Sequence, residues 1–125
     1  MQLNKIHHVA INSSDYNSTI DFYVDKLGFE IIRENKRDRG DIKLDLKLED
    51  AELEVFINPN LPARPNYPEA YGLRHLAFKV NSVLETAEEL KKLGIKTEPI
   101  RVDDYTNLPM MFFFDPDGLP LEIHE

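Results

Sequence analysis

The strongest constraint on the fold is an internal repeat that relates the two halves of the chain. The segment HVAI at residues 8–11 matches HLAF at residues 75–78. Each segment is followed by a Lys-Leu-Gly triplet, which ends at Gly28 in the first half and at Gly94 in the second. We therefore expect two copies of one strand–helix–strands unit.

The repeat also relates four side chains that can bind a metal. Glu54 follows His8 by 46 residues, and Glu122 follows His75 by 47 residues. Each half thus has a histidine on its first predicted strand and a glutamate on its last. If a pseudo-twofold relates the halves, all four side chains can meet at one site.

The elements predicted from periodicity and turn residues have the same order in both halves. Capping residues and C-terminal glycines delimit the helices, and Ser82 with Glu85 has the form of a capping box. The sequence therefore predicts an α+β fold. The first half has strands at residues 6–12, 29–32, 42–48 and 53–57 and a helix at 16–27; the second has strands at 74–80, 110–114 and 121–123, a helix from 82 to 93 and an extended segment from 95.

A proline-rich stretch separates the halves. Four prolines between residues 58 and 68 exclude a helix or a central strand there. We interpret residues 59–70 as a linker between module 1, residues 1–58, and module 2, residues 71–125. At 125 residues the two modules are expected to form one domain.

Composition excludes several classes of function. The net charge of -8 disfavours binding to nucleic acid or to anionic membrane surfaces. The chain has no cysteine, so disulfides, thiolate metal sites and a cysteine nucleophile are excluded. No signal peptide or membrane-length apolar run is present in the sequence, and we expect a cytoplasmic protein.

The chemistry of the four candidate ligands suits a divalent metal. Two neutral imidazoles and two carboxylates carry a charge of about -2, and such a set accepts Zn, Ni, Co, Mn or Fe(II) without selecting among them. Glu54 and Glu122 lie between apolar residues in their strands, where an unpartnered carboxylate is costly to bury. The metal could polarise a carbonyl or stabilise an enediolate, and a glutamate that leaves the metal could act as a general base.

These residues and their context resemble the vicinal oxygen chelate superfamily. It includes glyoxalase I, methylmalonyl-CoA epimerase, fosfomycin-resistance transferases, extradiol dioxygenases and bleomycin-resistance proteins. The segments that carry the resemblance are 7–11, 22–29, 72–78 and 115–122, which span nearly the whole chain.

Within that superfamily the chain looks most like glyoxalase I. The resemblance implies two tandem βαβββ modules that form a curved mixed sheet around a metal bound by His8, Glu54, His75 and Glu122. It also implies a homodimer with shared sites and a base role for Glu122 or Glu54. The implied activity is that of a lyase or isomerase similar to lactoylglutathione lyase, which acts through an enediolate on a small α-oxo compound or its thiol adduct.

Alternatives to this activity stay open at the level of sequence. The same fold can bind a drug without catalysis, and it also supports epimerases and extradiol dioxygenases. No local motif identifies a thiol cosubstrate, although one is possible. The glutamates could instead be solvated strand residues. Arg101 and Tyr105 are weak candidates for a substrate pocket. His7 is expected to point to the opposite face of the strand from His8. His124 shares a face with Glu122 and could support it, but it is expected to be solvated or at an interface.

Overall fold

The strands of the computed structural model, which describes residues 1–125, form two four-stranded mixed sheets. The chain divides into two units, Met1–Pro62 and Ala63–Glu125, and each contains one sheet. The boundary between the units falls within the predicted linker. The prediction of an α+β fold with two tandem βαβββ modules is confirmed.

In the first unit the sheet order is β1-β4-β3-β2, and β1 is parallel to β4 while the other pairs are antiparallel. Parallel strands need a long crossover, so the first and last strands of the module can become neighbours. The strands are β1 (His8–Ser13), β2 (Glu30–Lys36), β3 (Ile42–Leu48) and β4 (Ala51–Ile57).

The second unit repeats this topology. Its sheet order is β5-β8-β7-β6, and β5 is parallel to β8. Helix α2 (Val83–Lys92) follows β5, and the Ser82 hydroxyl accepts a hydrogen bond from the Glu85 backbone N–H at its start, as the capping pattern predicts. The strands are β5 (Leu76–Lys79), β6 (Arg101–Val102), β7 (Pro109–Phe114) and β8 (Pro120–His124).

The first helix differs from the prediction of one regular α-helix over residues 16–27. A single α-helical turn, Tyr16–Thr19, continues into a π-helical segment, Ile20–Lys26, and we call the two together helix α1. The wider turn lets the adjacent side chains of Phe22 and Tyr23 both become buried, with their rings edge-to-face at 5.0 Å. Residues 20–26 are therefore helical, as predicted, but with a wider turn than that of an α-helix.

Alternation along the strands separates a core face from a second face in each sheet. In β4 the core residues Leu53, Val55 and Ile57 are buried, whereas Glu52 and Glu54 point to the other face. The same alternation holds in β1, where the face shared by His8, Ala10 and Asn12 is more exposed than the intervening residues. In the first sheet, His8 and Glu54 thus lie on the face opposite the core. No helix in the chain is long and apolar enough to span a membrane.

The buried leucines of β3 test this division. Leu46 is fully buried, and Leu46→Ala is expected to lower the free energy of unfolding by about 2–5 kcal/mol because it leaves a cavity. Leu84 on α2 is 64% exposed, so Leu84→Ala is the matched control, with an expected change of less than about 0.5 kcal/mol. Urea unfolding followed by circular dichroism measures both. Equal effects of the two substitutions would contradict the assignment of the core face.

Candidate functional site

The register of the parallel strands places the candidate ligands equivalently in the two units. Ala10 of β1 lies opposite Glu54 of β4, and Ala77 of β5 lies opposite Glu122 of β8. In each unit the candidate histidine precedes that alanine by two residues and so lies on the same face of the sheet. The small alanine side chain leaves space for the imidazole and the carboxylate to approach diagonally.

The first pair consists of His8 and Glu54. The His8 Nε2 atom is 3.6 Å from a carboxylate oxygen of Glu54, and the side chains are 40% and 13% exposed. The other ring nitrogen of His8, Nδ1, is 3.0 Å from Nδ1 of His7. His7 is exposed, and this contact shows that its ring does not point away from His8 as predicted.

The second pair, His75 and Glu122, is tighter and more buried. The His75 Nε2 atom is 3.0 Å from a Glu122 oxygen, and the side chains are 25% and 10% exposed. His75 lies one residue before β5 rather than within it. The ring of Phe112, the β7 residue opposite Glu122, meets the His75 ring edge-on at 5.1 Å.

The structure therefore brings the four predicted ligands together two by two. The chain contains no group of three or more His, Asp or Glu side chains close enough to hold a metal. Each pair offers one imidazole nitrogen and one carboxylate oxygen, which is half of the predicted ligand set. The assignment of all four residues to one metal remains a prediction.

Charged neighbours distinguish the first pair from the second. The Lys43 ammonium donates to the second oxygen of Glu54 at 2.9 Å and to Asp45 at 2.8 Å. Arg33 donates to the other oxygen of Asp45 at 2.7 Å. Glu54 is thus anchored at the end of a chain of ion pairs that runs across β2, β3 and β4, and hydrogen bonds to Asp45 and Glu54 raise the pKa of Lys43.

Asp45 holds this chain of ion pairs in place although its side chain is almost completely buried. Burial alone would raise the pKa of Asp45, but the hydrogen bonds from Lys43 and Arg33 outweigh it, and the pKa lies below its ordinary value. The corresponding position opposite Glu122 is occupied by Phe112. Glu122 contacts an imidazole and faces an aromatic ring on the neighbouring strand, whereas Glu54 contacts an ammonium group in addition to an imidazole.

A cleft of about 600 Å³ opens beside His75 within the second unit. The sheet contributes residues such as His75, Phe112 and Arg101 to its lining, and residues 64–74 contribute most of the others. The predicted linker is therefore more than a connection. The Asn66 side-chain amide donates to the Gly118 carbonyl at 2.9 Å and fixes this segment against the turn before β8.

The two weak substrate candidates lie in different places. The Arg101 side chain lines the cleft, and its guanidinium carbon is 5.4 Å from the centroid of the Phe112 ring. Tyr105 does not line the cleft, and its side chain is fully exposed. The Asp103 carboxylate accepts hydrogen bonds from the backbone N–H groups of Tyr105 and Thr106, which holds Tyr105 in an exposed turn.

His124 also lies apart from both His–Glu pairs. Its Nε2 atom is 3.5 Å from an Asp103 oxygen and 3.3 Å from the Thr106 hydroxyl oxygen. Four residues that were not predicted as site residues also line the cleft: Arg64, Asn66, Tyr67 and Tyr71. The sequence contained one signal for them, because arginine, asparagine and tyrosine occur in and beside the proline-rich stretch and can form hydrogen bonds with a ligand.

Comparison with known proteins identifies the family to which this chain belongs. The chain belongs to the Glyoxalase/Bleomycin resistance protein/Dioxygenase superfamily, whose sequence model matches residues 5–123. The superfamily includes enzymes and non-enzymes, and its members typically act on small molecules, commonly bind a divalent metal and often form dimers.

Particular relatives are similar over their whole length. The chain is 52% identical to the uncharacterized protein YwkD of Bacillus subtilis (strain 168), with 100% of this chain and 99% of that protein covered. It is 46% identical to the uncharacterized protein YaeR of Escherichia coli (strain K12), with 98% and 97% covered. A crystal structure of a glyoxalase family protein from Enterococcus faecalis is 63% identical, with a TM-score of 0.96 and 100% of both chains covered.

A more distant structure shares the fold alone. The E126Q mutant of the fosfomycin resistance protein FosX from Listeria monocytogenes, in a complex that contains Mn(II), is 21% identical, with a TM-score of 0.75 and 98% and 93% of the two chains covered.

The ion pairs of Asp45 predict a pH dependence of stability. Its pKa is lowered in the folded chain, so the contribution to stability is present above the ordinary aspartate pKa of about 3.9 and is lost as the pH falls through the folded value. Asp45→Asn is expected to lower the free energy of unfolding at pH 7, and its difference from the wild type should narrow toward pH 3. Urea unfolding at several pH values measures this, with exposed Asp38→Asn as the control. A difference that does not depend on pH would contradict the ion-pair assignment.

Proposed function

We propose that this protein is a metal-dependent lyase or isomerase of the glyoxalase type. Its substrate is a small α-oxo compound or the adduct of such a compound with a thiol. The observation that carries the proposal is the repeated His–Glu pair, which occurs at the same strand register in both units. A single pair on one sheet could be an ordinary ion pair, but its exact counterpart in the second unit favours a shared role.

The distances within the pairs are compatible with ligation. Two ligand atoms bound to one metal at about 2.1 Å lie roughly 3.0–3.4 Å apart for octahedral or tetrahedral geometry. The measured separations of 3.0 Å and 3.6 Å are close to that range. Two ligands are too few for a stable site, so we propose that His8, Glu54, His75 and Glu122 together bind one divalent ion. The two pairs can come from one chain or from two copies in a homodimer.

When bound, the metal would supply Lewis-acid stabilisation of negative charge on the substrate oxygens. The chain's own residues supply the proton transfer. Glu122 is the proposed base because its carboxylate contacts an imidazole and lies opposite an aromatic ring, with no ammonium group holding it. Glu54 is the proposed fixed ligand because Lys43 anchors its second oxygen.

The proposed reaction is an internal oxidation and reduction. Glu122 removes a proton from the hydroxyl-bearing carbon next to the oxo group, which gives an enediolate, and the same carboxyl group returns the proton to the former oxo carbon. The hydroxyl proton passes from the oxygen of the first carbon to the oxygen of the second. The first carbon is oxidised and the second is reduced by the same pair of electrons. No external oxidant or reductant is needed, and atoms and charge balance.

The superfamily supports this proposal without fixing the reaction, since its members commonly bind a divalent metal and FosX was crystallised with Mn(II). The Lys43–Glu54 ion pair favours a second candidate function. Because Lys43 compensates the charge of Glu54 without a metal, the chain could instead bind a small molecule without catalysis. Metal binding separates the two candidates.

The first test is metal binding. Wild-type protein treated with a chelator is expected to bind one divalent ion per four-ligand site in calorimetric titrations with Zn²⁺, Ni²⁺, Mn²⁺ and Fe²⁺. His8→Ala and Glu122→Ala are each expected to weaken that binding at least tenfold, because each removes a ligand. His124→Ala is the matched control, because it removes an imidazole from the second sheet but touches neither pair. If no metal binds to the wild type, the second candidate function replaces the first.

The second test asks whether Glu122 is the base. With the hemithioacetal of methylglyoxal and a low-molecular-weight thiol as the probe, Glu122→Gln is expected to lower the rate of proton exchange with D₂O about 10²–10⁴-fold. Its metal affinity should fall much less, because the amide oxygen remains available. NMR measures the exchange and calorimetry the affinity. Unchanged exchange in an otherwise active protein would exclude Glu122 as the base.

A further inference from the structure

The cleft in the second unit contains more positive than negative side chains, although the chain as a whole is strongly acidic. Three arginines and two glutamates line it, which leaves an excess of one positive charge in a chain of net charge -8. A local positive potential in a concave site concentrates anions there. An arginine that binds an anion there needs N–H donors that are not already used.

Two of the three arginines are already engaged. The Arg64 guanidinium donates to the side chain of Asn66 at 2.9 Å and to the carbonyl oxygens of Leu73 and Arg74 at 2.9 and 3.2 Å. It therefore braces the segment that forms the cleft wall. Arg74 donates to the Glu69 carboxylate at 3.0 Å, and its side chain is 72% exposed.

Arg101 is less engaged than the other two arginines. Its closest carboxylate oxygen belongs to Glu98 at 3.8 Å, which is longer than a hydrogen bond. Its guanidinium lies over the ring of Phe112, and the same ring contacts His75 edge-on. Packing on an aromatic ring orients a guanidinium while leaving its N–H donors able to bind a planar carboxylate.

We propose that Arg101 binds a carboxylate of the substrate, which lies across Phe112 from the His75–Glu122 pair. The substrate class is then an α-oxo compound, or its thiol adduct, with a carboxylate at the end remote from the reacting carbons. Phe112 contacts the intervening apolar part, and Glu98 competes for Arg101 when the cleft is empty. This inference rests on the proposed function for the identity of the reacting group but not for the binding of the carboxylate.

Titrations of the metal-free full-length protein with propionate and propionamide test the proposal. The two probes have the same shape and differ in charge, and amide chemical shifts of the ¹⁵N-labelled 14.5 kDa chain report their binding. Propionate is expected to bind about tenfold more tightly than propionamide and to shift the signals of Phe112 and Arg101. Equal affinities of the two probes would overturn the proposal.

Three variants make the test specific. Arg101→Gln is expected to weaken propionate binding about tenfold, since a charge-assisted hydrogen bond is lost. Glu98→Gln is expected to strengthen it several-fold, because the competing carboxylate is removed. Arg39→Gln removes the same charge from an exposed turn of the first unit and should change nothing. Unchanged binding in Arg101→Gln, or weaker binding in Glu98→Gln, would overturn the proposal.

The outcome is independent of the metal site. The opposite effects expected of Arg101→Gln and Glu98→Gln keep the test decisive if one variant folds poorly. Because the titrations contain no metal, a failure of His8, Glu54, His75 and Glu122 to bind metal would leave them unchanged. Propionate binding without metal binding would retain the carboxylate site and remove the lyase or isomerase reaction.

Discussion

The parallel pairing of the first and last strands in each unit is the constraint on which the candidate site depends. It brings residues almost fifty positions apart into adjacent strands, with an alanine opposite each glutamate. A slip of one residue in that pairing would turn Glu54 or Glu122 toward the core and move Val55 or Ile123 out of it. The burial of the apolar face therefore fixes the position of the polar residues, and stability and site geometry are set by the same register.

The two units use this common register in different electrostatic environments. Around Glu54, Lys43 and Asp45 form an ion-paired network in which each buried charge has a partner, as burial requires. Around Glu122 an aromatic ring replaces that network. Glu54 contacts an ammonium group as well as an imidazole, whereas Glu122 contacts an imidazole alone. Repetition of the fold thus supplies equivalent positions, and substitution of the neighbours makes the two glutamates chemically different.

Sequence predicted the parts of this structure that follow from local periodicity and from the repeat. Alternating residues gave the limits of the strand Ile42–Leu48, and the repeat identified the two His–Glu pairs. The π-helical segment Ile20–Lys26 was not predicted, because the spacing of apolar residues over so few turns does not distinguish a π-helical turn from an α-helical one. The Lys43–Glu54 contact was also missed, since it depends on the pairing of β3 with β4 rather than on proximity along the chain. The binding of one metal by both His–Glu pairs remains a prediction.

The loop at residues 64–74 can change the ligand preference of the cleft without changing the strands. Residues 64–74 form a wall of the cleft, yet they belong to no strand or helix, and they are held by side chains such as Arg64 and Asn66. Insertions or substitutions in such a segment alter the space above the sheet while leaving the strand registers intact. Selectivity and architecture can therefore diverge independently, so that proteins with nearly superimposable sheets can accept different molecules.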